Sequence, residues 1–211
     1  MKRGVITLMI LLNLFQYTPV YAEINNPQYI NNPQYIETQQ QVSNSSQYTI
    51  SINEVLSGFD IWDAQLSFKN TSNRTGDIKY IVVHHTESEN TTINDIHQWH
   101  INNGFGGIGY NFYIRKDGTI YKGRDVNKQG AHCIGKNNDS IGIALEGNFN
   151  ITQPTNEQIV SLLRVSLMLL DLYGTDELYV HKDFNSTDCP GKNFPYEMYK
   201  QLFNHCKSLK Y

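Results

Sequence analysis

Three side chains in this sequence have the chemistry to hold a metal ion: His84, His181 and Cys189. Two imidazoles and a thiolate form a borderline-soft donor set of the kind that zinc accepts tetrahedrally. Three protein donors leave a fourth position for water, the pattern of a catalytic rather than a structural site. An ion held there lowers the pKa of its water towards about 7. Spacing alone leaves a second reading open. A histidine at a strand end is often a hydrogen-bonded structural residue, and no HExxH or paired CxxC accompanies these three.

The elements that must position them follow from local pattern. Lys79-Tyr80-Ile81-Val82-Val83-His84 is β-branched and bounded by Gly76-Asp77, which predicts a buried strand ending at His84. Strand ends of this kind are where α/β proteins place functional side chains. His85 then points to the opposite face, towards packing or a supporting role. His181 follows the apolar Leu178-Tyr179-Val180, and Cys189 precedes Pro190-Gly191. Thr92 and Asp95 form a capping-box start for a helix reaching about Asn103, where Gly104 can stop it. On it, His97 and His100 have helical spacing but no third ligand, so they read as surface or packing residues. Tyr110–Arg115 and Thr119–Lys122 flank Lys116-Asp117-Gly118, a hairpin signal. Ser140–Leu145 is another buried strand. Thr155 and Gln158 form a second capping box, opening a helix that reaches about Tyr173 before Gly174, and a last helix follows Pro195. The expected fold is α/β: a single domain with a central mixed β-sheet flanked by helices.

Two segments precede that domain. Lys2 and Arg3 lead into an apolar run from Val5 to Phe15, and Val20-Tyr21-Ala22 offers a cleavage site, so residues 1–22 read as a signal peptide. The run is short for a span of roughly 20 residues, and nothing else in the chain is long and apolar enough to cross a bilayer. The expected mature protein is secreted, cell-wall associated and monomeric. Residues 23–47 contain the hexapeptide NNPQYI twice and few aliphatics. They read as a low-complexity linker that cannot repay its ordering entropy. The domain then occupies 48–211. A net charge of −3 with no basic stripe points away from nucleic acid. Sequons at Asn44, Asn70, Asn73, Asn90, Asn138, Asn150 and Asn185 fit the richness in Asn, Ile, Lys and Tyr of a bacterial chain better than a glycosylated one.

Five ordered blocks go further: IVVHHT at 81–86, GGIGYNFYIRKDGTIYKGR at 106–124, GAHC at 130–133, NDSIGIALEGNF at 138–149 and HKDFNSTDCPG at 181–191. Together they resemble the type-2 N-acetylmuramoyl-L-alanine amidases, the family of T7 lysozyme-like endolysins and peptidoglycan recognition proteins. The resemblance implies that His84, His181 and Cys189 hold Zn2+. It implies hydrolysis of the amide between the lactyl group of N-acetylmuramic acid and L-alanine, with peptidoglycan, a glycan strand bearing stem peptides, as the partner.

Residue roles carry over by position. Tyr110 matches a tyrosine that assists at the reacting amide, and GYNF is expected to begin a strand next to the one ending at His84. Thr187 stands where T7-like enzymes carry lysine and recognition-protein amidases usually carry threonine. Glu146 is a further polar candidate for the catalytic group that serves the water. His132 matches a histidine lining the substrate groove, and Arg124 and Asn127 lie where relatives contact the stem peptide. With Cys189 as a ligand, Cys133 and Cys206 remain as a pair whose separation the sequence does not give. Two other functions compete: a peptidoglycan-binding module that does not cut, and a zinc peptidase acting within the stem peptide. Non-catalytic relatives lose a ligand, whereas this chain keeps all three.

Overall fold

The computed structural model of the chain describes residues 5–6 and 48–211. The expected linker lies outside the described residues, as does the expected signal peptide apart from Val5–Ile6. Ser51–Tyr211 and the amino-terminal strand fall in one compact unit; of the other, Leu8–Ile50, only the last three residues are described.

The sheet contains β1 (Val5–Ile6), β2 (Ile61–Asp63), β3 (Tyr80–His85), β4 (Phe112–Ile114), β5 (Ile120–Lys122), β6 (Ser140–Leu145) and β7 (Glu177–Val180). Their order is β1-β2-β5-β4-β6-β3-β7. β3 runs parallel to both β6 and β7, β4 runs parallel to β6, and β4 pairs antiparallel with β5 across the expected hairpin. Among the described residues, four helices accompany the strands: α1 (Ile52–Val55), α2 (Ile93–Asn102), α3 (Asn156–Tyr173) and α4 (Tyr196–Lys210). No helix of the described residues is long and apolar enough to cross a membrane.

Local chemistry sets the helix ends. The Asp95 backbone N–H donates to Thr92 Oγ1 at 3.2 Å, and the Asp95 carboxylate accepts from the Thr92 backbone at 2.8 Å. Thr155 and Gln158 repeat this arrangement at 3.1 Å in both directions. Gly174 ends α3 in the left-handed region at φ 68°, which suits a residue with no Cβ. Gln158 Nε2 also donates to the Glu146 carbonyl at 2.8 Å, tying the start of α3 to the end of β6.

The central strands are buried on both faces, as parallel strands covered by helices must be. One expectation fails here. The strand that follows Tyr110 is not the neighbour of the strand carrying His84, because β6 lies between β4 and β3. The apolar run Ser140–Leu145 takes the position beside β3, where both its faces are covered.

Candidate metal centre

Register brings the first two donors together. Val83 of β3 pairs with Val180 of β7 in parallel, so the next residues, His84 and His181, emerge side by side at the carboxyl edge of the sheet. Their rings lie 4.5 Å apart. On the other flank His84 is level with Ala144, a small residue that leaves room for the imidazole. After β7 the chain makes one 3-10 turn, His181–Asp183, and loops back. The Lys182 N–H donates to the Cys189 carbonyl at 3.0 Å, and the Cys189 N–H donates to Thr187 Oγ1 at 3.2 Å. The loop thereby turns the Cys189 thiol under β3, where the His85 backbone N–H donates to Sγ at 3.4 Å.

One donor atom from each of His84, His181 and Cys189 lies within 4.8 Å of the others, and His84 Nδ1 is 3.7 Å from Cys189 Sγ. Burial holds the His84 imidazole well below its ordinary pKa, with the nearby histidines adding to the effect. Burial also lowers His181, opposed by its hydrogen bond to Asn185. The Cys189 thiol is pushed up to about 12 by burial, against the opposing His85 amide. Neutral imidazoles with free lone pairs beside a buried sulfur are what a cation requires, and a bound cation would favour the thiolate.

Tyr110 belongs to the same cluster. Its ring lies 5.0 Å from that of His84 and 5.2 Å from that of His100. Burial and the neighbouring Cys189 hold its phenol above the ordinary tyrosine value, so the hydroxyl stays a donor. Thr187 is exposed beside the cysteine it braces. His132 is buried rather than lining an open groove, with its Nδ1 3.0 Å from His84 Nε2.

The remaining candidates go elsewhere. Glu146 is only 2% exposed, and its carboxylate accepts from Arg115 Nε at 3.4 Å and from the Lys116 N–H at 3.2 Å, contacts that lead away from the metal donors. Arg124 turns inward instead of towards a ligand. Its guanidinium donates to the carbonyls of Ile108, Gln129, Phe105 and Gly107, clamping the loop before β4. Asn127 is exposed in the turn after β5, where its backbone accepts from Arg74. His97 engages both ring nitrogens, with the Ile108 N–H and the Ser67 carbonyl. Cys133, Cys189 and Cys206 are all free, so no Cys133–Cys206 bridge forms.

Asn185 was not singled out from the sequence. Its Oδ1 lies 3.0 Å from His181 Nε2. Its place between two proposed ligands was the available signal, and a sequon obscured it.

Fold and site together define an α/β domain with a His-His-Cys cluster that could hold a metal ion at the carboxyl edge of its central strands. The family model for N-acetylmuramoyl-L-alanine amidase, Amidase_2, matches residues 74–192, more than half of the chain. This chain belongs to that family. Among solved structures it is similar to the N-acetylmuramoyl-L-alanine amidase LysC from Clostridium intestinale URNW, at 43% identity and a TM-score of 0.65, covering 67% of this chain and 95% of that one. It is 36% identical to peptidoglycan-recognition protein SC2 of Drosophila simulans, over 55% of this chain and 70% of that protein. It is 35% identical to the endolysin of Enterobacteria phage T3, over 49% and 72% respectively.

Proposed function

We propose that this chain is a zinc-dependent amidase that hydrolyses the bond between N-acetylmuramic acid and L-alanine in peptidoglycan. The observation that carries the proposal is the convergence of His84, His181 and Cys189, from segments far apart in sequence, beside the Tyr110 ring. The donor set fits zinc. Tetrahedral zinc with ordinary Zn–N and Zn–S lengths separates nitrogen and sulfur ligands by about 3.6 Å, and His84 Nδ1 and Cys189 Sγ are 3.7 Å apart.

Zinc bound there would supply Lewis-acid polarisation of the scissile carbonyl and a water activated at neutral pH. Tyr110, kept protonated by its surroundings, donates a hydrogen bond as negative charge gathers on the amide oxygen or at the attacking water. Thr187 keeps its own O–H available at the rim while its oxygen braces the Cys189 backbone. His100 packs against Tyr110 and orients its ring. Glu146 takes no part, because its carboxylate is engaged by Arg115 and Lys116. Peptidoglycan lies outside the cytoplasmic membrane, so export by the amino-terminal signal and action at the cell wall belong to the same proposal.

Recognition without cleavage is the second reading, favoured by the similarity to a peptidoglycan-recognition protein. The complete donor set favours cleavage. Mass analysis of digested cell wall separates the alternatives. The amidase releases peptides that begin with L-alanine and leaves the glycan intact. Release of nothing would leave a binding module, and cuts within the stem peptide would make the protein a peptidase.

A further inference from the structure

Behind the two histidine donors lies a second layer of hydrogen bonds. Asn185 Oδ1 is 3.0 Å from His181 Nε2. The orientation of that amide is set by its other end, where Nδ2 donates to the Phe184 carbonyl at 2.9 Å and the Ile134 carbonyl at 3.2 Å. Oδ1 can only accept, so His181 carries its proton on Nε2 and presents the lone pair of Nδ1. The Cys133 thiol donates to the same Oδ1 at 3.3 Å.

His84 is served in the same way. Its Nδ1 faces Cys189 Sγ, and its Nε2 is 3.0 Å from His132 Nδ1. Two imidazole nitrogens at that distance share one proton. If His84 binds metal through Nδ1, the proton must sit on its Nε2 and His132 must accept it.

His132 and Cys133 are neighbours in the chain, and one side chain fixes both. Asn137 Oδ1 accepts from the His132 N–H at 2.8 Å and the Cys133 N–H at 2.9 Å. The imidazole of His132 is also seated between two glycines. A Cβ at Gly142 would lie 2.6 Å from its Cγ, and one at Gly130 would lie 2.6 Å from its Cδ2. Contacts that close are met only where no side chain is present.

We propose that His132 and Asn185, held on the Asn137-braced His132-Cys133 dipeptide and its Cys133–Asn185 contact, are positioning residues that fix the metal-binding tautomers of His84 and His181. This rests on the zinc reading above. It gives His132 a role in the metal centre rather than in a groove wall. Partners of this kind typically change metal affinity by 10–100-fold when removed.

The test is zinc affinity, measured by competition with a chelating dye on the folded full chain, together with 15N shifts of the histidine side chains in the zinc-loaded protein. His132→Ala is expected to weaken zinc binding by 10–100-fold and to broaden or shift the His84 Nε2 signal. His132→Asn, which keeps an acceptor on Cγ, is expected to recover most of the affinity. Asn185→Leu should weaken binding to a similar degree, and Asn185→Asp should retain it. Cooperative melting of each variant separates loss of the centre from loss of the fold. If His132→Ala folds and keeps wild-type affinity with an unchanged His84 signal, the proposal is overturned. It is also overturned if His132→Asn fares no better than alanine, since shape rather than the acceptor would then matter. A wild-type chain that binds no zinc would instead remove the reading beneath it.

Discussion

Two groups of buried polar side chains lie close together in this fold and do opposite things. Around the loop before β4, Arg124 directs its guanidinium at the carbonyls of Phe105, Gly107 and Ile108 and at that of Gln129 beyond β5, and His97 of α2 engages both ring nitrogens. At the carboxyl edge of β3 and β7, His84 and His181 engage their distal nitrogens with His132 and Asn185, while His84 Nδ1 faces Cys189 Sγ and all three side chains converge. Burial of a polar group is therefore not the mark of function. What distinguishes the second group is donor capacity aimed at one point, beside His132 and Asn185, which engage the distal nitrogens.

Removing a converging donor should give the largest effect. Cys189→Ala is expected to lose stoichiometric zinc and all measurable amidase activity while keeping a cooperative melt, because beyond the ligand it removes only the sulfur acceptor that the His85 N–H reaches at 3.4 Å. Elemental analysis and a cell-wall digest check this. Full zinc occupancy in that variant would erase the distinction between the two groups.

Tyr110→Phe comes next. The ring contacts with His84 and His100 survive and only the hydroxyl is lost. A donor acting in the transition state lowers kcat and kcat/KM together, by on the order of 10²-fold, and leaves KM nearly unchanged. Zinc content should hold. A tyrosine that merely packs would tolerate phenylalanine with full kcat, and the burden would move to Thr187.

Arg124→Lys probes the satisfied group. Lysine keeps the charge but cannot reach four carbonyls with one ammonium. Stability should fall by about 2 kcal/mol, since buried carbonyls lose charged donors, while zinc affinity stays at the wild-type value. Chemical denaturation and dye competition report the two separately. Lower zinc affinity at unchanged stability would mean that the loop clamp belongs to the site.

Much of this was legible in the sequence, for identifiable reasons. The capping boxes at Thr92 and Thr155, the stop at Gly174 and the hairpin over Lys116-Asp117-Gly118 are local chemistry, and the structure realises each of them. The three converging side chains could be named because metal chemistry restricts residue type. What stayed hidden depends on partners distant in sequence. β2 has three residues and exists by pairing with β5, nearly sixty positions on. The insertion of β6 between β3 and β4 likewise depends on pairings distant in sequence. Arg124 and Glu146 looked like site residues because a charged side chain in a matching block carries no sign of which way it turns. His132 joined the centre only when the fold brought it to His84 from 48 positions away.

The smallest expected effect concerns the boundary between the two groups, where His100 stands. Its Nδ1 accepts from the Gly109 backbone N–H at 2.7 Å, and its ring packs against Phe105 and Tyr110. Burial, with the charges of Arg124 and His97 added, lowers its pKa to about 4. An unfolded histidine titrates near about 6.5. Between these values the unfolded chain binds the extra proton and the folded chain refuses it, so stability falls as pH drops through the window. Above about 6.5 the contribution is complete, and it is lost by the time the folded imidazole itself protonates and gives up the Gly109 contact. His84, His85 and His132 share the trend, so the informative quantity is the difference between wild type and His100→Asn. Asparagine keeps an acceptor for Gly109 and removes the titration. Melting temperatures should agree near pH 7.5 and then diverge, with the variant flatter on the acid side. Curves that stay parallel down to pH 4 would show that His100 contributes nothing to the acid response and that its burial is matched in the unfolded chain.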